Sequence, residues 1–299
     1  RWRPGLGAVP VSHRRLSADQ LEVAFGHRAV LRGATLEIPR GQRLALLGAN
    51  GSGKTTLLRT LAGSVRPSAG CVLVDGQPVS YQRAGLRAHR QVVQLVAQNP
   101  DDQLFAADVY RDVSFGPLNL GLPEADVRRR VAEALALLSI EDLAERPIHE
   151  LSYGQRKRVA IAGALAMEPC VMLLDEPTAG LDPQGVDEMV AALESLLRAH
   201  TTVVISTHEV DFALWWADSV AVLVDGAVRH GDPTALLGDA ELVAAARLRQ
   251  PMVLQAAAQL GLPPGSITDV AGLVRALRPP EGEVSASRVP ATCSGRRAR

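Results

Sequence analysis

The sequence predicts an α/β fold with a parallel core sheet built around a phosphate-binding loop. Three observations carry this. Gly48-Ala49-Asn50-Gly51-Ser52-Gly53-Lys54-Thr55-Thr56 fits G-x-x-x-x-G-K-[S/T] at every fixed position, between a strand-like and a helix-like stretch. Val171-Met172-Leu173-Leu174 is a continuous apolar run, as a strand covered on both faces requires. Strand-like and helix-like segments alternate through the middle of the chain, which favours parallel pairing through helical crossovers.

Whole-chain quantities narrow the class. The 299 residues allow one large domain or two modest ones, and 47% hydrophobic content is enough for a sizeable core. Aromatics make up only 3%, which argues against base stacking as a main activity. A formal net charge of zero supplies no global field toward nucleic acid or acidic lipid. Apolar runs are only a few residues long, far short of a membrane span, and the N-terminus has no apolar signal core. Cys71, Cys170 and Cys293 lie far apart without a C-x-x-C pair, and Cys71 and Cys170 read as small buried hydrophobes. A reduced, cytoplasmic, soluble protein is expected. The chain opens on Arg1 rather than Met, which leaves room for an upstream piece.

Residues 1–18 carry Arg1, Arg3, Arg14 and Arg15 without periodicity, and a disordered lead is expected there. Leu21–Phe25 and Ala34–Ile38 alternate and read as strands. Phe25 is placed either to stack on an adenine ring or to fill core, and spacing alone leaves both open. Leu44–Leu47 reads as a buried strand, and Leu57–Ala62 as the start of a helix. Cys71–Val74 is a strand ending in the hairpin turn Asp75-Gly76, and Val92–Val96 is another. Gln98–Gln103 then reads as a polar loop. Residues 123–139 are helical, with Val127, Val131, Leu135 and Leu138 on one stripe. Leu151–Gln155 precedes a second helix, for which Ser152 is a suitable N-cap. After the Val171–Leu174 strand come an amphipathic helix over 184–199, a strand at Thr202–Ser206 and another at Val220–Val224 with the turn Asp225-Gly226. Residues 240–278 look weakly helical, and Pro279 onward reads as a flexible basic tail.

The chemistry gathers at the carboxyl edge of the expected sheet, where such folds bind ligands. Gly48, Gly51 and Gly53 let the backbone curl so that N–H groups face phosphate oxygens, and the helix N-terminus adds partial positive charge. Lys54 would reach the β- and γ-phosphates of a nucleoside triphosphate, and the Thr55 hydroxyl would hold Mg²⁺. Asn50, Ser52 and Thr56 complete that binding loop. Asp175, ending an apolar strand, is placed to hold Mg²⁺ directly or through water, and Glu176 to polarise the attacking water. His208, at another strand end, could hydrogen-bond the γ-phosphate, although an isolated histidine is also a common structural residue. No zinc spacing is present, so a catalytic transition metal is not supported. The loop alone leaves charge developing in phosphoryl transfer incompletely neutralised, and many such enzymes borrow a group from a partner.

Across roughly residues 20–235 the sequence resembles the ATP-binding cassette (ABC) family of ATPases. Leu151-Ser152-Tyr153-Gly154-Gln155 is similar to the family signature L-S-G-G-Q, with Tyr153 in place of the first glycine. Val171–Thr178 resembles the Walker B strand with its catalytic Glu176, and Ala179-Gly180-Leu181-Asp182 the D-loop. Gln98 matches the Q-loop glutamine, preceded by Ala97 where a bulkier residue is usual, and His208 matches the switch histidine. Phe25 then matches the adenine-stacking aromatic. The resemblance implies a P-loop NTPase with a parallel core sheet, an antiparallel β subdomain and a helical signature subdomain over about 99–165. It makes residues 19–240 one ATPase domain and 241–299 an extension and tail. It implies ATP and Mg²⁺ as ligands, with Thr55, Gln98 and Asp175 at the metal and Glu176, His208 and Lys54 in catalysis. It also implies that two domains pair head to tail, with Ser152, Gly154, Gln155 and Asp182 completing the partner's site. A homodimer is the simplest form.

Gln98–Phe105 and Asp112–Leu122 look like the ATPase subunits of energy-coupling-factor importers, and Ser206–Phe212 with Trp216-Ala217-Asp218 resembles their cobalt/nickel branch. This likeness implies a peripheral protein on the cytoplasmic face of the cell membrane. Its partners would be a transmembrane coupling subunit and a substrate-binding membrane subunit, with no nucleic acid. The alternatives are vitamin uptake, or a non-transport ABC ATPase acting on DNA or ribosomes. DNA-repair members carry long coiled-coil insertions, whereas residues 57–150 show no sustained heptads. Ribosomal members usually carry two cassettes in one chain. A nucleotide kinase would leave the signature and the Asp175-Glu176 pair unexplained.

Overall fold

The computed structural model describes residues 14–277 apart from 200, 263–266 and 268. The chain opens with β1 (Leu16–Phe25) and β2 (Arg28–Ile38), an antiparallel pair. β3 (Arg43–Leu47) leads through the phosphate loop into α1 (Lys54–Leu61). β4 (Ala69–Val74), β5 (Gln77–Pro78), α2 (Arg83–Val92) and β6 (Val93–Val96) follow. Three helices come next: α3 (Val109–Asn119), α4 (Glu124–Leu137) and α5 (Tyr153–Leu165). The chain then alternates through β7 (Val171–Asp175), α6 (Pro183–Arg198), β8 (Thr202–Thr207), α7 (Val210–Trp216), β9 (Ser219–Val224) and β10 (Ala227–Gly231). It ends in α8 (Pro233–Gly238), α9 (Ala240–Ala245), α10 (Met252–Gln259) and α11 (Val270–Leu277).

The central sheet runs β10-β9-β3-β8-β7-β6, parallel throughout except for the antiparallel edge strand β10. A second, antiparallel sheet runs β2-β1-β4-β5. The fold is therefore α/β with a parallel core sheet and a separate antiparallel sheet.

Strand alternation splits the interior in two. Leu44, Leu46, Val171, Leu173, Val204, Ala221 and Leu223 pack with Leu57, Leu58 and Leu61 of α1 and with the antiparallel sheet. The alternate residues Ala45, Leu47, Met172, Leu174, Val203, Ile205, Val220 and Val222 pack on the opposite face against helices α3 to α7. Both faces are covered, which is why these strands read as unbroken apolar runs. The two Asp-Gly turns follow the expected chemistry. Asp75 and Gly76 sit at φ 51° and 77°, Asp225 and Gly226 at 49° and 84°, as a type I′ hairpin needs.

Several expectations need correction. The expected lead of residues 1–18 overlaps β1: Leu16 and Ala18 are fully buried and pair with β2 and β4. Gln20, at φ 48°, interrupts the register of β1, so its two halves do not share one alternation. Residues 1–13 lie outside the described residues, as do the expected tail from Pro279 and Cys293. Cys71 and Cys170 are part-buried rather than fully buried. Cys71 is left open because β5 pairs only with Leu73 and Val74 of β4. Val92 closes α2 rather than opening a strand. Helix α2 lies outside the expected elements, and α3 falls within the expected helical subdomain without having been placed as an element. Helix α2 buries only His89 and carries only Leu86 and Val92 as large apolar residues, and α3 contains Gly116 and an internal Pro117. In the C-terminal region helix begins earlier, at Pro233.

Candidate nucleotide-binding site

The loop between β3 and α1 opens one side of a cleft of about 530 Å³. Gly53 caps α1 at φ 111°, and a Cβ there would lie 2.8 Å from Val30 Cγ1, so both conformation and space require glycine. The ammonium of Lys54 is buried; it donates to the Gly48 carbonyl at 2.8 Å and the Ala49 carbonyl at 3.4 Å. It also lies 3.5 Å from Glu176 Oε1. Phe25, Asn50, Thr55, Gln98 and Glu176 line the same cleft. Phe25 is 56% exposed, which rules out the core role and leaves its ring face available.

The far wall is made by strand ends. β7 delivers Asp175, 5% exposed, whose Oδ2 accepts from the Thr55 hydroxyl at 2.6 Å. Its other carboxylate oxygen accepts from Ser206 Oγ on neighbouring β8. Glu176 follows in the left-handed region, at φ 46°, with its N–H held by Ser206 Oγ at 3.0 Å and by the Ser206 carbonyl at 3.2 Å. A non-glycine residue there costs about 1–3 kcal/mol and marks an over-determined turn. His208, just past β8, is half exposed, with Nδ1 3.5 Å from Glu176 Oε2.

The site suits a Mg²⁺-nucleotide on its own features. Thr55 and Asp175 present hard oxygen donors side by side, the type Mg²⁺ takes together with phosphate oxygens. Ser52 Oγ in the loop is buried with no hydrogen-bond partner among the described residues. No cluster of three or more His, Cys, Asp or Glu suited to a metal occurs among the described residues.

Ser152, Gly154, Gln155 and Asp182 lie outside this cleft. Their side chains have local work. Ser152 and Gln155 form a reciprocal capping box on α5, at 3.2 and 2.9 Å, and Asp182 caps α6 through the Gly185 N–H at 2.7 Å. Tyr153, the departure from the glycine pair, packs against Gly180 and donates to the Gln98 carbonyl at 3.4 Å.

Sequence reasoning missed three supporting residues. Ser206 donates to the Asp175 carboxylate and accepts from the Glu176 backbone N–H, and only its place at the end of an apolar strand hinted at this. Gln103 pins the turn around Gln98, accepting from the Ala97 N–H at 2.8 Å and donating to the Leu95 carbonyl at 3.0 Å. Lys157 is 4% exposed on α5. Its signal was present: it shares one helical face with Ala160, Ile161 and Ala164, a charge on an apolar stripe.

A family model described as ABC transporter matches residues 31–179. The chain is 57% identical over 222 residues to an ABC transporter ATP-binding protein of Streptomyces coelicolor, covering 74% of this chain and 78% of that protein. It is 51% identical over 244 residues to the cobalt import ATP-binding protein CbiO of Rhodobacter capsulatus, covering 81% of this chain and 87% of the relative. Among solved structures it resembles CbiO1 of Clostridium perfringens, part of the ABC transporter complex CbiONQ. That likeness has a TM-score of 0.70 and 40% identity, over 83% of this chain and 98% of the other.

Proposed function

This chain belongs to the ABC transporter family of ATPases, and from that premise we propose that it powers an energy-coupling-factor importer for cobalt or nickel ions. One observation carries the reading. Lys54, Thr55, Glu176 and Gln98 line one cleft, with Asp175 bonded to Thr55 and His208 beside Glu176, in a chain similar along most of its length to a cobalt import subunit.

In this reading Lys54 and the loop N–H groups bind and orient the phosphates of ATP, and Phe25 stacks on the adenine. Asn50, Gly51, Ser52 and Thr56 complete the cradle. Thr55, Asp175 and Gln98 would hold Mg²⁺, which when bound offsets charge on the phosphate oxygens. Glu176 orients the attacking water and accepts its proton, and His208 hydrogen-bonds the terminal phosphate. Lys54 and His208 each lie 3.5 Å from one Glu176 oxygen, so the carboxylate sits between a phosphate-binding cation and a phosphate-binding ring. Ser152, Gly154, Gln155 and Asp182, outside the cleft of their own chain, close the site of a second copy, with the capped N-terminus of α5 as the anion-facing end.

The membrane partners are a coupling subunit and a substrate-binding subunit. Among the described residues no helix is long and apolar enough to cross a membrane, so the pathway belongs to other chains. Phe105, Phe115 and Leu118 are each at least half exposed, and the two phenylalanine rings stack edge to face at 4.6 Å. Such a patch suits a membrane subunit docking at the cytoplasmic face.

The test is uptake of labelled Co²⁺ and Ni²⁺ by cells co-expressing the chain with the membrane subunits encoded beside it. Uptake that disappears with Lys54→Ala is expected. Lys54-dependent uptake of a vitamin in place of either metal would overturn the choice of solute.

A further inference from the structure

Lys157 is a buried cation that neither the phosphate loop nor the signature explains. It sits in the second turn of α5, and its ammonium donates to three carbonyls: Glu176 at 2.9 Å, Pro177 at 3.0 Å and Ala179 at 2.8 Å. Three protons meet three acceptors, so its donors are fully used. All three carbonyls belong to the turn that follows β7, and the first is Glu176's own. Burial pushes the ammonium down to about 8, while the nearby charges of Glu176 and Asp175 pull the other way.

A buried ammonium is costly, but an apolar side chain in its place would take the donor away from three carbonyls of the turn. What the ammonium adds is a fixed geometry. The peptide of Glu176 is gripped at both ends, its N–H by Ser206 of β8 and its C=O by Lys157 of α5. Between those grips the residue is held in the left-handed region, at φ 46°. Releasing one grip frees the turn to relax toward commoner backbone angles, and the carboxylate would leave its place between Lys54 and His208.

We propose that Lys157 is a positioning residue for ATP hydrolysis: by clamping the turn Glu176–Ala179 from α5, it fixes the Glu176 carboxylate between Lys54 and His208. The inference rests on the reading of Glu176 as the group that activates water. Lys157 itself does not line the cleft and reaches it only through the backbone carbonyl of Glu176. Its loss should therefore change turnover and leave nucleotide binding alone.

The experiment compares wild type, Lys157→Met, Lys157→Arg and Glu176→Gln as full chains. It measures steady-state ATP hydrolysis, binding of a fluorescent ATP analogue and thermal melting. Lys157→Met should lower kcat on the order of tenfold to a hundredfold, the scale of a misplaced reacting group, with analogue Kd within about twofold of wild type. Lys157→Arg, which keeps charge and donors, should recover part of the turnover. If Lys157→Met melts below the assay temperature, Lys157→Gln is judged by the same criterion. Wild-type kcat in the lysine variant beside an inactive Glu176→Gln would overturn the Lys157 proposal and leave the Glu176 reading intact. Equal losses in kcat and in nucleotide binding would overturn it too, as the mark of a merely structural role. Wild-type turnover in Glu176→Gln would instead remove the premise.

Discussion

Phe25 shows how one residue's role turns on exposure. As a lone aromatic ending a strand it could be read as core or as an adenine platform, and more than half its surface is open at the cleft. Phe25→Ala should therefore leave the melting temperature almost unchanged and weaken ATP binding by about 1–3 kcal/mol, the usual worth of base–aromatic stacking. A nucleotide titration beside a melt separates the two readings, since a core residue would lower the melting temperature and spare binding. Lys54 and Thr55 were legible because a loop that curls around phosphates demands those residue types at fixed offsets. The left-handed backbone of Glu176 was not, because glutamate carries no local preference for it. Ser206 and Lys157 impose it from 30 and 19 residues away.

At the scale of elements, the site depends on where β3 ends, and Arg43 fixes where it begins. Its guanidinium donates to Asp218 Oδ1 at 2.6 and 3.2 Å, and its N–H to Oδ2 at 2.9 Å, tying β3 to the entry of β9. Burial works to raise the Asp218 carboxyl, but the hydrogen bonds and charge of Arg43 outweigh it and hold the group below the ordinary value of 3.8. A carboxyl lowered on folding stabilises the protein fully above its unfolded pKa and loses that contribution as pH falls through its folded one. Asp218→Asn should thus cost about 1 kcal/mol near pH 7, discounted for partial exposure, and its deficit should shrink below about pH 4. Urea melts at both pH values check this. The sequence marked Asp218 only through its likeness to cobalt/nickel subunits, whereas the structure gives it a mechanical task. Apolar periodicity revealed α4 and α6 but missed α2, which has few large apolar residues, and α3, which contains Gly116 and Pro117.

At the scale of the molecule, the parallel sheet was legible because strands buried on both faces must be apolar at every position. The antiparallel edge strand β10 and the division into two cores were not, since they depend on which distant strands pair. The largest consequence is that the cleft does not contain the signature. Ser152 and Gln155 cap α5 away from it, so under the proposed pairing a lone chain would hold ATP in an incomplete site. The proposal of a site shared between two copies makes the bound nucleotide part of the interface. Sedimentation of the Glu176→Gln chain, in which hydrolysis should stall, tests that most directly. It should run as a monomer without nucleotide and as a dimer with saturating Mg²⁺-ATP. A monomeric boundary at saturating ATP, in a chain shown by titration to bind it, would contradict the shared site.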